Sequence, residues 1–252
     1  VVEHRSLMPE LPIGFDNLFE TFRALGKAAE GNLTETDEYL FCEGTVNHPV
    51  ANFAVIKNLN SNDAGMFARH AAQRSVFHLY AIPSAPVHEM LRRAGFLPAY
   101  RMLQMQAPAI GPAADSVSEP VAEIDVLAAA GLMIETFFQR YGLAEQAAIR
   151  NAICNSGIPA VGETADGIVL SAALMHYHAE TVGVYNLCVS SSKRNKGLGR
   201  NLVRKIRTTA GENPVILQCD YNLGPWYQQL GFSEISSLTV YTIDPKIRPE
   251  LL

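Results

Sequence analysis

"SSKRNKGLGRNLV", residues 191–203, sets two glycines two residues apart behind a cluster of cations, where an apolar periodicity begins. Leu198, Leu202, Val203, Ile206 and Ala210 recur at helical spacing, so a helix is expected to open at the glycines. The preceding "YNLCV" (185–189) reads as a strand. Gly197 and Gly199 thus fall at a strand-to-helix turn, where the first N–H groups of a helix are unpaired and carry partial positive charge. Glycine lets a ligand approach that backbone closely, and Lys193, Arg194 and Lys196 add point charge. Together these features suit a phosphate group. The plainer alternative is a glycine turn that caps a surface helix with solvated cations.

Two familiar phosphate motifs do not fit. Gly197-Leu198-Gly199-Arg200 lacks the Gly-Lys-Ser/Thr of a P-loop, and Leu202 stands where a dinucleotide fingerprint needs its third glycine.

The rest of the chain bounds the possibilities. At 252 residues it is long for one compact unit and comfortable for two. With 48% hydrophobic and 18% charged residues the composition is that of a globular protein. A net charge of −5 argues against nonspecific binding of nucleic acid, so no such partner is expected. Cys42, Cys154, Cys188 and Cys219 show no paired or metal-binding spacing, which suits free thiols in a reducing cytoplasm. "VVEHRSLMPELP" has no apolar signal core and no apolar run approaches a membrane-spanning length, so a cytoplasmic chain without a membrane anchor is expected.

"QAPAIGPAADSVSEP" (106–120) is rich in Pro, Ala, Gly and Ser and reads as a boundary. Before it come a helix at "FDNLFETFRALGKAAE", strands at "YLFCEG" and "ANFAVIKN", a helix at "DAGMFARHAAQ", a strand at "SVFHLYAI" and a helix at "APVHEMLRRAGF". After it a long helical stretch, broken near Gly142, leads to strands at "IPAVGET", "GIVLSAALMHY" and "VGVYNLCV". The glycine-opened helix, a strand "PVILQCDY", a helix end "GPWYQQLGF" and a strand "LTVYTI" complete the order. "LRRAGFLPAYRMLQM" (91–105) and "YQQLGFSEISSLTVYTI" (227–243) both run helix, Gly-Phe, strand, which points to an internal duplication. The expected division is a first unit at 1–106, a linker at 107–119 and a second unit at 120–252.

Arg194-x-x-Gly197-x-Gly199 after a strand resembles the acyl-CoA signature of the GNAT superfamily of N-acyltransferases. Tyr227-x-x-x-Gly231-Phe232 is similar to that family's second signature, with one strand between the two motifs. The resemblance covers about residues 120–250. It implies an α/β (α+β) fold of two GNAT-like units, each a mixed, mainly antiparallel sheet flanked by helices. The first unit is then a degenerate copy, since it has no Arg-x-x-Gly-x-Gly and Leu91 stands where Tyr227 stands in the second.

The same resemblance implies acetyl-CoA as cosubstrate and direct attack on its thioester by a primary amine of a small molecule or peptide. The backbone of Leu187, Cys188 and Val189 would pair with the pantetheine arm, and an N–H at Leu187 or Cys188 would polarise the thioester carbonyl. Amides of Asn195, Lys196, Gly197, Leu198, Gly199 and Arg200 would hold the pyrophosphate, assisted by Arg194 and Lys196. Tyr227 would act as general acid toward the departing thiolate. Asp220 and Asn222 lie where the family often places a polar contact to CoA, although the spacing to Tyr227 is shorter than usual.

Several residues keep two readings. Tyr227 alone also reads as a core tyrosine on a helix. "VGVYNLCV" carries no carboxylate to serve as general base, and Glu180 sits only at its preceding turn. His176 and His178 alternate onto one strand face as possible bases, or as solvated turn residues. The pair lacks a convincing third ligand, so no metal is expected. Phe137, Phe138 and Tyr141 are candidates to line an acceptor site, or simply core. A noncatalytic acyl-CoA sensor or interaction module would keep the same cradle, and a protein reading only nucleotide phosphates is a weaker third possibility.

Overall fold

The structure, a computed structural model, describes residues 11–74, 76–110 and 119–243. The first half comprises α1 (Phe15–Ala28), β1 (Asn32–Glu35), β2 (Tyr39–Glu43), β3 (Asn52–Ile56), α2 (Ser61–Ala72), β4 (His78–Ala81), α3 (Ala85–Arg93) and β5 (Leu97–Ala107). The second comprises β6 (Ala122–Glu123), α4 (Val126–Met133), a π-helical turn (Ile134–Phe138), α5 (Leu143–Asn155), β7 (Ala160–Ala165), β8 (Ile168–His178) and β9 (Thr181–Val189). It continues through α6 (Leu198–Ala210), β10 (Val215–Asp220), α7 (Gly224–Gln228) and β11 (Ser233–Thr242). Most of the expected linker lies outside the described residues.

The strands form one eleven-stranded sheet in the order β1-β2-β3-β4-β11-β5-β10-β9-β8-β7-β6. Only β3–β4 and β10–β9 are parallel, so the fold is mixed and mostly antiparallel with helices on both faces. The two final strands are exchanged between the halves. β11 lies against β4 of the first half, and β5 lies against β10 of the second. Side-chain chemistry explains why the exchange is tolerated. Leu103, Met105 and Ala107 of β5 pack with Leu202, Ile206 and Tyr227 of the second half. Leu238 and Val240 of β11 pack with Phe15 and Phe19 of α1.

Alternation along the strands sorts the helices. α1, α4 and α5 cover one face of the sheet, whereas α2, α3, α6 and α7 cover the other. α1 belongs to the first half but reaches over the second, where fully buried Asn17 donates to the carbonyls of His176 (2.9 Å) and Thr181 (3.3 Å). The four cysteines are free thiols, and burial pushes Cys42 and Cys188 up to about 12. Among the described residues no helix is long and apolar enough to cross a membrane, and no cluster of His, Cys, Asp or Glu could hold a metal ion.

Candidate active site

The site begins where two parallel strands part. β9 and β10 pair only at Val182–Val215, Gly183–Ile216 and Val184–Leu217, after which β9 leaves the sheet neighbour it started with. The departure coincides with a bulge. Ala172 of β8 faces Cys188 and Leu174 faces Tyr185, so Asn186 and Leu187 stand opposite Ala173 alone. Asn186 takes the left-handed conformation there (φ 53°). A bulge leaves a residue without its ladder partner and bends the strand. The first half has no such opening, because β3 and β4 stay paired from Phe53–His78 to Ile56–Ala81.

Beyond Val189 the chain makes a short 3₁₀ turn (Ser191–Lys193), and Arg194 Nε donates back to Val189 O at 3.3 Å. Asn195 (φ 60°) and Gly197 (φ 81°) then adopt left-handed conformations that turn successive amides inward. Gly197 caps α6 without any side-chain hydrogen bond, and the first turn of α6 carries no acidic residue. Its leading N–H groups are therefore left for a ligand. At Gly199 a Cβ would lie 3.5 Å from Val189 Cγ2 and 3.7 Å from the Trp226 ring, so a glycine here keeps the groove open to the backbone.

The corresponding helix of the first half is closed to anions. Asn60 Oδ1 accepts from the amides of Asn62 (2.9 Å) and Asp63 (3.0 Å) at the start of α2. Asp63 adds negative charge in the same turn. The donors are already satisfied, and a phosphate would meet a carboxylate.

A cleft of about 700 Å³ joins the opened strands to the turn. It gathers Leu187, Cys188, Val189, Lys193, Arg194, Asn195, Gly197, Leu198, Gly199, Arg200 and Tyr227 from the residues singled out in the sequence. Lys196 is exposed outside the lining. Asn222 is also exposed and outside it, on the turn before α7, with its amide donating to Asp220 Oδ1 at 2.8 Å. Tyr227 is 7% exposed, stacked edge-on between Trp226 (4.7 Å) and Phe232 (5.6 Å). Burial pushes its phenol well above the ordinary tyrosine range.

Phe137, one of the candidate acceptor-lining residues, stands in the wall of the cleft. The structure adds residues that the sequence did not single out: Thr136 beside it on the π-helical turn, and Leu223 and Trp226 on another wall. Trp226 is the only tryptophan of the chain and sits directly before Tyr227, a signal that was available. Phe138 and Tyr141 instead meet His48 of the first half, with ring centroids at 5.7 and 4.5 Å. His176 lies off the cleft, its Nδ1 2.7 Å from Thr21 Oγ1 under α1. His178 and Glu180 lie at the β8–β9 hairpin, away from the cleft. No carboxylate or imidazole lines the cleft among the described residues.

Residues 155–234 match the family model of the acetyltransferase (GNAT) domain, which spans the opened strands, the cradle and Tyr227. No curated protein matches the chain. Among solved structures, a GCN5-related N-acetyltransferase from Kribbella flavida is similar over 93% of this chain and 96% of its own, at 12% identity and a TM-score of 0.64. A functionally unknown conserved protein from Staphylococcus epidermidis is similar over 84% of this chain and 94% of its own, at 14% identity and a TM-score of 0.62. A tandem GNAT protein from the clavulanic acid biosynthesis pathway is similar over 92% and 96%, at 11% identity and a TM-score of 0.53. The second half thus carries a GNAT acetyltransferase domain, and the whole chain has the fold of these proteins.

Proposed function

We propose that the chain is an N-acetyltransferase that moves an acetyl group from acetyl-CoA to a primary amine of a small molecule or peptide by direct attack. One observation carries this reading. The cradle at Asn195–Gly199, the bulged strand and Tyr227 line a single cleft, and among the described residues no side chain caps the start of α6. The match of residues 155–234 to the family model supports it.

Acetyl-CoA, when bound, supplies a thioester carbonyl and a thiolate leaving group. The chain's own residues do the rest. Amides from Asn195 to Arg200 receive the pyrophosphate, and Arg194 and Lys196 offset its charge. The backbone of Leu187, Cys188 and Val189, released from β10, pairs with the extended pantetheine arm. An N–H freed by the bulge at Asn186–Leu187 polarises the carbonyl. Tyr227 holds its proton because burial keeps the phenol neutral; it would give that proton to the departing sulfur and regain one from the nitrogen that has formed the amide. Asn222, outside the lining, is the least direct of the expected contacts. The first unit (1–106) shapes the acceptor side, and the second (120–252) holds the cosubstrate in a cytoplasmic protein.

With no carboxylate or imidazole lining the cleft among the described residues, the amine is expected to arrive uncharged. That same observation favours a second reading, a noncatalytic acyl-CoA sensor or interaction module. An acetyl-CoA consumption screen over amino acids, polyamines, aminoglycosides and peptides separates the two. Turnover with any acceptor supports the enzyme, and tight binding without turnover supports the sensor.

A further inference from the structure

Two walls of the cleft are apolar and open to solvent. Phe137 is 39% exposed and Leu223 is 48% exposed, although both line the cavity. Each stands beside a group of the reaction centre. Thr136, next to Phe137, shares a hydrogen bond with the Cys188 thiol, which sets this wall against the bulged strand. Leu223 caps the start of α7, one turn before Tyr227. Phe137 is also braced, because its ring meets Phe138 edge-on at 6.0 Å and Phe138 meets His48 of the first half at 5.7 Å.

The fixed charges of the lining are all positive: Lys193, Arg194 and Arg200. No carboxylate forms an ion pair with any of them among the described residues. The phosphates of the cosubstrate match these cations, so an acceptor meets no charge left to pair with. Glu135, beside Thr136 in the chain, is exposed and off the lining. A second ammonium or a free carboxylate on the acceptor would therefore be desolvated against Phe137 and Leu223 without compensation. Exposed large apolar side chains set around one cavity suit an apolar ligand instead.

We propose that Phe137 and Leu223 are specificity-determining residues for the acceptor, and that they select a hydrophobic monoamine, a primary amine on an apolar body with no second charge. The apolar body seats against the Phe137 ring and the Leu223 side chain. The same contacts strip water from the amine and so favour its neutral form, which for a lysine-like amine is under about a thousandth of the total at pH 7. The nitrogen lone pair forms the C–N bond and the C–S bond breaks. The sulfur takes the Tyr227 proton, and the surplus proton of the nitrogen returns to Tyr227. The inference rests on the acyltransferase reading, and it makes polyamines, aminoglycosides and free amino acids poor acceptors.

The test uses the full chain with its Phe137→Ala and Leu223→Ala variants, and benzylamine, glycinamide and spermidine as acceptors of acetyl from acetyl-CoA. Both positions are partly exposed, so the variants are expected to melt within about 2 °C of wild type. In wild type, kcat/KM for benzylamine should exceed that for glycinamide or spermidine by about tenfold or more. Each alanine variant should raise KM for benzylamine about tenfold while moving KM for glycinamide less than about twofold. Binding of N-acetylbenzylamine with CoA present, followed by the fluorescence of Trp226, should weaken by the same factor as KM. Wild type using glycinamide or spermidine as well as benzylamine overturns the inference. So does a KM for benzylamine that stays put in both variants, or one that rises only in step with that for glycinamide. Binding of N-acetylbenzylamine that weakens in both variants, without transfer to any amine, contradicts the acyltransferase reading alone.

Discussion

Tyr185 donates its hydroxyl to Asn17 Oδ1 at 2.8 Å, joining the bulged strand of the second half to the first helix of the chain. Gly183 permits the contact. A Cβ there would collide with Asn17 Oδ1 and sit 2.7 Å from the Tyr185 hydroxyl oxygen. Asn17→Ala would take one partner from that hydroxyl and a donor from two backbone carbonyls, and it is expected to lower stability by about 2–4 kcal/mol in urea unfolding. Gly183→Ala is expected to act on the same contact, so the double variant should lose less than the sum. Full additivity would show that the two positions are independent.

The two glycines of the cradle serve different ends, and substitution separates them. Gly197 has open space around its Cα but a φ of 81°, so Gly197→Val strains the backbone by about 1–2 kcal/mol and distorts the nest. A methyl at Gly199 meets only ordinary van der Waals contacts, so Gly199→Ala should keep wild-type stability. It should nevertheless weaken CoA binding, because the methyl narrows the approach to the helix amides. Thermal melts and CoA titrations on both variants check this. Wild-type CoA affinity in either folded variant would place the cradle elsewhere.

Tyr227→Phe is expected to leave acetyl-CoA affinity nearly unchanged and to slow transfer by about 10²-fold. Burial keeps the phenol protonated through the assay range, so the tyrosine imposes no alkaline loss of rate below about pH 10. With no base in the cleft, kcat/KM should rise with pH in step with the free-amine fraction and level off at the acceptor's own pKa. A plateau set well below that pKa would reveal a base contributed by the chain.

Acid should loosen the contact between the halves. Burial, with the nearby charges of His78 and Arg140, lowers His48 to about 3, and burial lowers His78 to about 4. His48 Nδ1 accepts from the Val50 amide at 3.0 Å, a bond that protonation removes. Both groups bind protons more readily unfolded, near 6.5, than folded. Stability is therefore full above about pH 6.5 and falls as pH drops toward 4, by up to about 1.4 kcal/mol per pH unit for each histidine. Urea midpoints across pH 4–8 should show the slope, and His48→Gln should reduce it. An unchanged slope would remove His48 from the acid response.

Residues 185–210 were legible in advance because strand, glycine turn and amphipathic helix each left a local signature. The break before α5 was visible at Gly142 for the same reason. The exchange of β5 and β11 was not legible. Alternation in "LPAYRMLQM" and "LTVYTI" tells which face of a strand is buried, not which neighbour it pairs with. β1 and β6 escaped notice because "NLTE" and "AE" are short, polar edge segments with no periodicity to read. Phe137 was a candidate lining residue from the start, but Thr136 beside it depends on a π-helical turn, which has no simple sequence pattern. His176 looked available as a base, yet a threonine 155 residues away on α1 holds it.

This chain is predicted to hold one acyl-CoA, in the cleft between β9 and the start of α6. Calorimetric titration of acetyl-CoA into the full chain decides the matter. One site per chain is predicted, since Asn60 and Asp63 close the equivalent helix of the first half. Two sites per chain, or no saturable binding, would contradict it.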